Sequence, residues 1–238
     1  EPLKMRRLAD IFSVDVASIH SMWLLHGVPN QKERFQREAL PLVEDALSHV
    51  CNTLVADYYE GDLVIFMDWT EEAAGPLGIA EALSRQLESA GLDAVLITCQ
   101  DLPTTADVRR AYLTIRGSHD DALRIWPGRR RYTLQEMEFA HTCRETIGQG
   151  EGAVRQTLAP LDTLRAHREG TELARTLAVY LLDAACSVTQ TAQLLYLHKN
   201  TVKYRLQQIN GRLGYPAGKL PEIFSLYTAC AVGRMLGD

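Results

Sequence analysis

The chain has 238 residues, 46% of them hydrophobic and 23% charged, which excludes disordered and fibrous classes and is enough for one large domain or two ordinary ones. The formal net charge of -5 speaks against nucleic-acid binding by the chain as a whole. Five scattered cysteines with no CxxC exclude a disulfide framework or zinc site and point to a reducing cytoplasm.

The N-terminus, EPLKMRRL, has no apolar stretch behind its charges and is not a secretory signal; lacking an initiator Met, the chain is expected to be a fragment. The longest apolar runs, Leu63–Met67 and Ala94–Ile97, are strand-sized, well short of the roughly 18 residues of a membrane helix. A short polar helix is expected first, then a strand over Ser18–His26. Gln31–Cys51 carries Phe35, Ala39, Val43, Ala46, Leu47 and Val50 at helical spacing, with Pro41 as a kink or first-turn residue. Leu54–Met67 reads as a hairpin around Tyr58–Asp62, where Gly61 supplies the positive φ of the turn. Leu77–Ala90 is amphipathic through Leu77, Ala80, Leu83 and Leu87, and Gly91 stops it. Ala94–Cys99 is a buried strand, and Thr104–Ile115 a helix capped by Thr104 or Thr105. Alternating strands and helices make the first 132 residues an α+β or α/β sandwich.

From about Tyr132 no strand signal returns. Helices are expected at Leu134–Ile147, Ala153–Ala166, Glu172–Cys186, Val188–Leu195, Lys199–Leu213 and Pro221–Leu236, an all-α domain over 133–238. Here the charge divides informatively: Thr171–Asp238 holds 7 basic and 4 acidic residues, and Ser187–Tyr215 holds no acidic residue at all. The succession Glu172–Cys186, Val188–Leu195 and Lys199–Leu213 fits a helix-turn-helix at 187–213, with Ala192 at the close crossing and Ser187 or Thr189 as the cap. Val202, Leu206, Ile209 and Leu213 form one apolar stripe. The opposite face holds Asn200, Lys203, Tyr204, Gln207 and Gln208, with Lys199 at the N-terminal end and Thr201, Arg205 and Arg212 flanking the stripe. Amides and cations without carboxylates suit a helix lying in a DNA major groove. Asn200, Lys203, Gln207 and Lys199 are expected to read bases; Thr201 and Arg205 are expected at the phosphate walls, and Tyr204 at either.

The string Thr191–Leu206, TAQLLYLHKNTVKYRL, resembles the C-terminal helix-turn-helix of PucR/CdaR-type bacterial transcriptional regulators. It meets every fixed position of that family's approximate pattern, T-A-x-x-L-x-[IVL]-H-[RK]-N-T-[VL]-x-Y-R-[LI], and is also similar to the Fis-type subclass. Gly170–Leu182 resembles the family's lead-in helix, and Leu158–Leu161 the segment before it. Lys199 replaces the commoner Arg, keeping the charge but losing the bidentate fork. The resemblance implies a degenerate GGDEF-like domain over 1–132 for dimerisation or signal relay. Glu60-Gly61-Asp62 lies where a diguanylate cyclase would carry GG[DE]EF, without the glycine and acidic pairs. It further implies a cytoplasmic homodimer that binds double-stranded DNA and senses an effector through an N-terminal module missing from this fragment. No enzyme activity, cofactor, metal or membrane association is expected.

Three other features carry alternative readings. Arg124, Arg129, Arg130 and Arg131 form a basic cluster expected to be a solvated turn. His141 and Cys143, two apart on a helix, do not converge on a metal. Asp57, Asp62 and Asp68 could be the remnant of a cyclase metal site, but Asp62 and Asp68 sit at opposite ends of a strand. The rival classes are a nucleotide-binding or cyclase-derived enzyme and an interaction scaffold whose helix-turn-helix no longer binds DNA.

Overall fold

The computed structural model describes residues 21–69 and 75–237; the expected first helix and the start of the expected first strand lie outside them. The fold is α+β, followed by an all-helical region. The chain divides into two compact units, one comprising residues up to Gly117 with Gly128–Glu138, the other Ser118–Pro127 with Phe139–Asp238.

The first unit is a five-stranded mixed sheet in the order β2-β3-β1-β4-β5. The strands are β1 (Ser21–Gly27), β2 (Cys51–Tyr59), β3 (Asp62–Trp69), β4 (Ala94–Cys99) and β5 (Arg131–Thr133). All neighbours are antiparallel except β4 and β5. Side chains alternate across a strand, so Trp23, Leu25, Leu63, Ile65, Met67 and Leu96 share one face. Helix α1 (Lys32–Leu47) contributes Phe35, Ala39, Val43 and Leu47 to this core, and α2 (Pro76–Ser89) contributes Ile79, Ala80, Leu83 and Leu87. Pro41 is accommodated inside α1. Met22, Leu24, Val64, Val95 and Ile97 on the other face are buried too. The helix Thr105–Ile125 (α3) begins on this unit, and Thr104 Oγ1 caps it by accepting the Asp107 N–H at 3.2 Å.

The hairpin turn is the two-residue Glu60-Gly61, both with positive φ (52° and 97°), between paired Tyr59 and Asp62. That is the type I′ geometry whose twist matches a hairpin, so Glu60 as well as Gly61 takes the left-handed conformation.

Three expectations are corrected. Leu77 is 74% exposed and Ile79 takes its place, because α2 is rotated to put Ile79 and Ala80 on the sheet. The helix expected to end at Ile115 continues to Ile125, since the polar run Ser118–Asp121 is overridden by burial of Ser118, Asp121, Ala122 and Ile125. A strand does return after Arg130: β5 pairs Leu96, Ile97 and Thr98 with Arg131, Tyr132 and Thr133. In the basic cluster Arg124, Arg130 and Arg131 are exposed, and Arg130 and Arg129 pair with Asp93 (2.9 Å) and Glu136 (2.6 Å).

In the second unit, α4 (Leu134–Gly148), α5 (Glu151–Arg165), α6 (Gly170–Ala178), α7 (Val188–Leu194), α8 (Lys199–Leu213) and α9 (Glu222–Leu236) pack together. Buried Asp121 is ion-paired with Arg144. The rings of Trp126, Phe139 and Tyr227 form a chain with centroid separations of 5.9 and 5.2 Å. Arg234 of α9 donates to the Ile125 carbonyl at 2.6 Å and grips Asp183 with both terminal nitrogens. Asp183 closes a π-helical turn, Val179–Asp183, that follows α6 where one long helix was expected. Burial pushes the thiols of Cys99, Cys143 and Cys230 up to about 12, so they stay protonated at neutral pH.

Gly170 starts α6 against the end of α5, and a Cβ there would lie 2.2 Å from the Leu164 carbonyl oxygen. We expect Gly170→Ala to lower stability by about 1–3 kcal/mol, because backbone rather than a flexible side chain must yield. Gly152→Ala, with open space around it, is expected to be neutral or slightly stabilising. Urea unfolding midpoints of the two variants check the contrast.

Candidate nucleic-acid interface

The motif is built from the caps inward. Ser187 caps α7 by accepting the Gln190 N–H at 3.3 Å, and Thr191 Oγ1 donates to the Ser187 carbonyl at 2.7 Å. Thr191 and Ala192 are buried, so α7 presents its smallest side chains to α8. His198 caps α8: its Nδ1 accepts the Asn200 N–H at 3.2 Å, which requires an unprotonated Nδ1. Gly214, at φ 81°, ends α8 in the left-handed conformation that favours glycine. Val202 and Ile209 are fully buried, worth about 1.5–3 kcal/mol each, while Leu206 and Leu213 are half-buried. In the lead-in, Leu173, Leu177, Leu181 and Ala184 are buried and Tyr180 only partly so.

The opposite face of α8 stands open. Lys199, Asn200, Thr201, Lys203, Tyr204 and Gln207 are exposed. Gln208 is half-buried and donates to the Tyr204 hydroxyl at 2.7 Å, fixing that ring and leaving its proton free to donate elsewhere. Neither Lys199 nor Lys203 has an ion-pair partner among the described residues. This side is cationic and amide-rich, and its charges are not neutralised from within.

Arg205, on the flank of the stripe, is held from within the unit. Its Nη1 donates to Glu172 Oε2 at 3.2 Å and to Thr176 Oγ1 at 3.0 Å, so it is turned back onto α6. Thr176 is itself buried and donates to the Glu172 carbonyl at 2.7 Å. A half-exposed ion pair contributes little by itself, but the bond to a fixed, buried hydroxyl sets the rotation of α8 relative to α6. Periodicity located Arg205 on the flank of the stripe; the pairing needed residues about thirty positions upstream and had no local signal.

The residues weighed as a cyclase remnant form a different arrangement. Asp62 is 1% exposed, and its Oδ1 lies 2.5 Å from His26 Nδ1 while its Oδ2 accepts from Arg116 Nη1 at 2.9 Å. Arg116 also reaches Glu60 at 3.5 Å, and the Tyr112 hydroxyl donates to Glu60 at 3.3 Å. Burial pushes the Tyr112 hydroxyl well above its usual range. Both oxygens of Asp62 are therefore committed to protein donors. Asp57 is exposed and Asp68 half-buried, and no three His, Cys, Asp or Glu side chains converge on a metal-sized site among the described residues. His141 lies 3.6 Å from Glu145, whereas Cys143 is buried.

Comparison with known proteins agrees with the motif. Residues 173–232 match the PucR C-terminal helix-turn-helix domain. The chain thus carries a DNA-binding helix-turn-helix of the kind found in transcription regulation. The crystal structure of a regulator of polyketide synthase expression from Bifidobacterium adolescentis is similar over 98% of this chain and 87% of that one, with 19% identity and a TM-score of 0.43. No curated protein matches the chain. Among the described residues no helix is long and apolar enough to cross a membrane.

Removing the Asp62 carboxylate takes the shared acceptor from His26 and Arg116 and leaves Arg116 with Glu60 alone. Both are partly solvated, so Asp62→Ala is expected to cost about 1–3 kcal/mol, short of a fully buried pair. Glu60→Ala, at the exposed turn, should stay within about 0.5 kcal/mol. Denaturant melts of both variants check the ordering.

Proposed function

We propose that the chain is a cytoplasmic transcriptional regulator of the PucR/CdaR type, binding a two-fold operator as a homodimer with one α8 helix in the major groove of each half-site. Supporting this is one observation above all: the outward face of α8 is exposed, cationic and amide-rich, with no carboxylate between Ser187 and Tyr215. In this reading Asn200, Lys203 and Gln207, with Lys199 at the front of the helix, pair with base edges. Thr201 and Tyr204 meet the sugar–phosphate walls. Arg205 acts from inside, through Glu172 and Thr176, as a positioning residue for α8.

The sheet-containing unit is proposed as a degenerate GGDEF-like domain that dimerises or relays a signal from an effector-sensing module. The His26–Asp62–Arg116 cluster favours a structural role for its hairpin over metal-dependent nucleotide chemistry, because both oxygens of the buried carboxylate already have protein partners. No catalytic role is assigned to any residue.

The test is a binding titration of the full chain on a duplex selected from a randomised pool and on a scrambled duplex, at several salt concentrations. Lys203→Ala should lose about 1–3 kcal/mol on the selected duplex and little on the scrambled one. Arg205→Ala should weaken both while leaving the log–log salt slope unchanged, since a residue bonded to Glu172 displaces no counterion. Failure of the unaltered chain to enrich any duplex, or equal loss by Lys203→Ala on both, contradicts the proposal.

A further inference from the structure

We infer that Tyr196 is a DNA-backbone contact, its hydroxyl donating to a phosphate on the strand that the first turn of α8 meets. This rests on the reading of α8 as the recognition helix.

The turn between α7 and α8 is a complete Schellman motif. The Leu197 N–H reaches back to the Ala192 carbonyl at 2.8 Å, and the Tyr196 N–H to the Gln193 carbonyl at 3.2 Å. Tyr196 occupies the bend at φ 56°, a conformation in which an L side chain crowds its own backbone. At the matching position after α8 the chain uses Gly214. A tyrosine at this bend therefore strains the fold, and it gains nothing in return: it is 96% exposed, the most open of the large hydrophobics among the described residues. Neither backbone geometry nor packing accounts for an aromatic residue here, and its ring and hydroxyl are both free for a second molecule.

The surroundings identify that molecule. Only Leu197 and His198 separate Tyr196 from Lys199, so its Cα lies within about 11 Å of the start of α8 even at full stretch. That end of α8 presents Lys199 and Asn200, both exposed, in a stretch without acidic side chains. Its surface is suited to a polyanion. A recognition helix that meets bases with its N-terminal half brings the turn before it up to the sugar–phosphate wall, where tyrosine hydroxyls are ordinary donors.

The experiment compares Tyr196→Gly, Tyr196→Phe and Lys203→Ala in the full chain, on the duplex selected by the unaltered chain and on its scrambled version. Tyr196→Gly should raise the melting temperature, by relieving the left-handed strain, while weakening both duplexes about tenfold, the loss expected for one hydrogen bond to a charged group. Tyr196→Phe should lose a similar affinity with the melting temperature unchanged. The salt slope should stay as in the unaltered chain, because a neutral hydroxyl displaces no counterion. Unchanged affinity in both Tyr196 variants, alongside a loss in Lys203→Ala, overturns this inference and leaves α8 as the recognition helix. A Tyr196→Gly chain that is less stable as well as weaker marks a structural residue and overturns it equally. If the unaltered chain selects no duplex, both readings fall together.

Discussion

The behaviour of the helical unit depends on how α8 is held. Val202 and Ile209 are taken wholly out of water on one side, against an α7 that offers only Thr191 and Ala192 at the crossing. A larger side chain at Ala192 would have to push the two helices apart, and interiors tolerate such overpacking poorly. Caps fix both ends, with His198 at the front and Gly214 behind, and Arg205 ties the flank to Thr176 on α6. Four constraints of different kinds thus fix the position and rotation of one fifteen-residue helix. Its remaining surface, Lys199 to Gln207, is left unneutralised and open. Rigid support beneath an exposed polar face is what a recognition surface requires, since contacts made by a loosely held helix lose free energy to ordering on binding.

The sheet unit uses charge in the opposite way. At its hairpin the carboxylate is buried and its partners are brought to it: Asp62 is enclosed by His26 and Arg116, with Glu60 and Tyr112 completing the network. A buried carboxylate survives only with such partners. The turn sequence Glu-Gly-Asp that invited comparison with a catalytic loop is satisfied locally, by a type I′ bend and an ion cluster.

Much of this was legible in the residues. Ala94–Cys99 and Lys199–Leu213 have the bounds read from apolar runs and spacing, because β4 is buried throughout and α8 carries a clean stripe with a glycine stop. The hairpin followed from two apolar runs around Gly61. What was not legible depends on distant partners. Strand β5 is three residues long and exists because Leu96, Ile97 and Thr98 offer an edge to pair with. The second half of α3 contains Gly117-Ser118-His119-Asp120-Asp121, a run that signals a turn until Asp121 meets Arg144. The π turn after α6 and the inward rotation of Arg205 are likewise set by partners on other elements. Leu77 and Ile79 both fit an amphipathic pattern within a residue or two, and only packing decides between them. Among the α8 residues, exposure followed the helical wheel for Lys199, Asn200, Lys203, Tyr204 and Gln207, and Arg205 on the flank is half-buried; only its partners Glu172 and Thr176 had no local signal.

The most direct measurement is methylation protection of the selected duplex by the full chain, which distinguishes guanine N7 in the major groove from adenine N3 in the minor groove. With α8 in the major groove, guanine N7 positions should be protected in two patches about one helical turn apart. Substituting Asn200, Lys203 and Gln207 together by alanine should abolish that protection while residual weak binding persists. Protection confined to adenine N3, or N7 protection unchanged in the triple variant, would contradict the placement of α8.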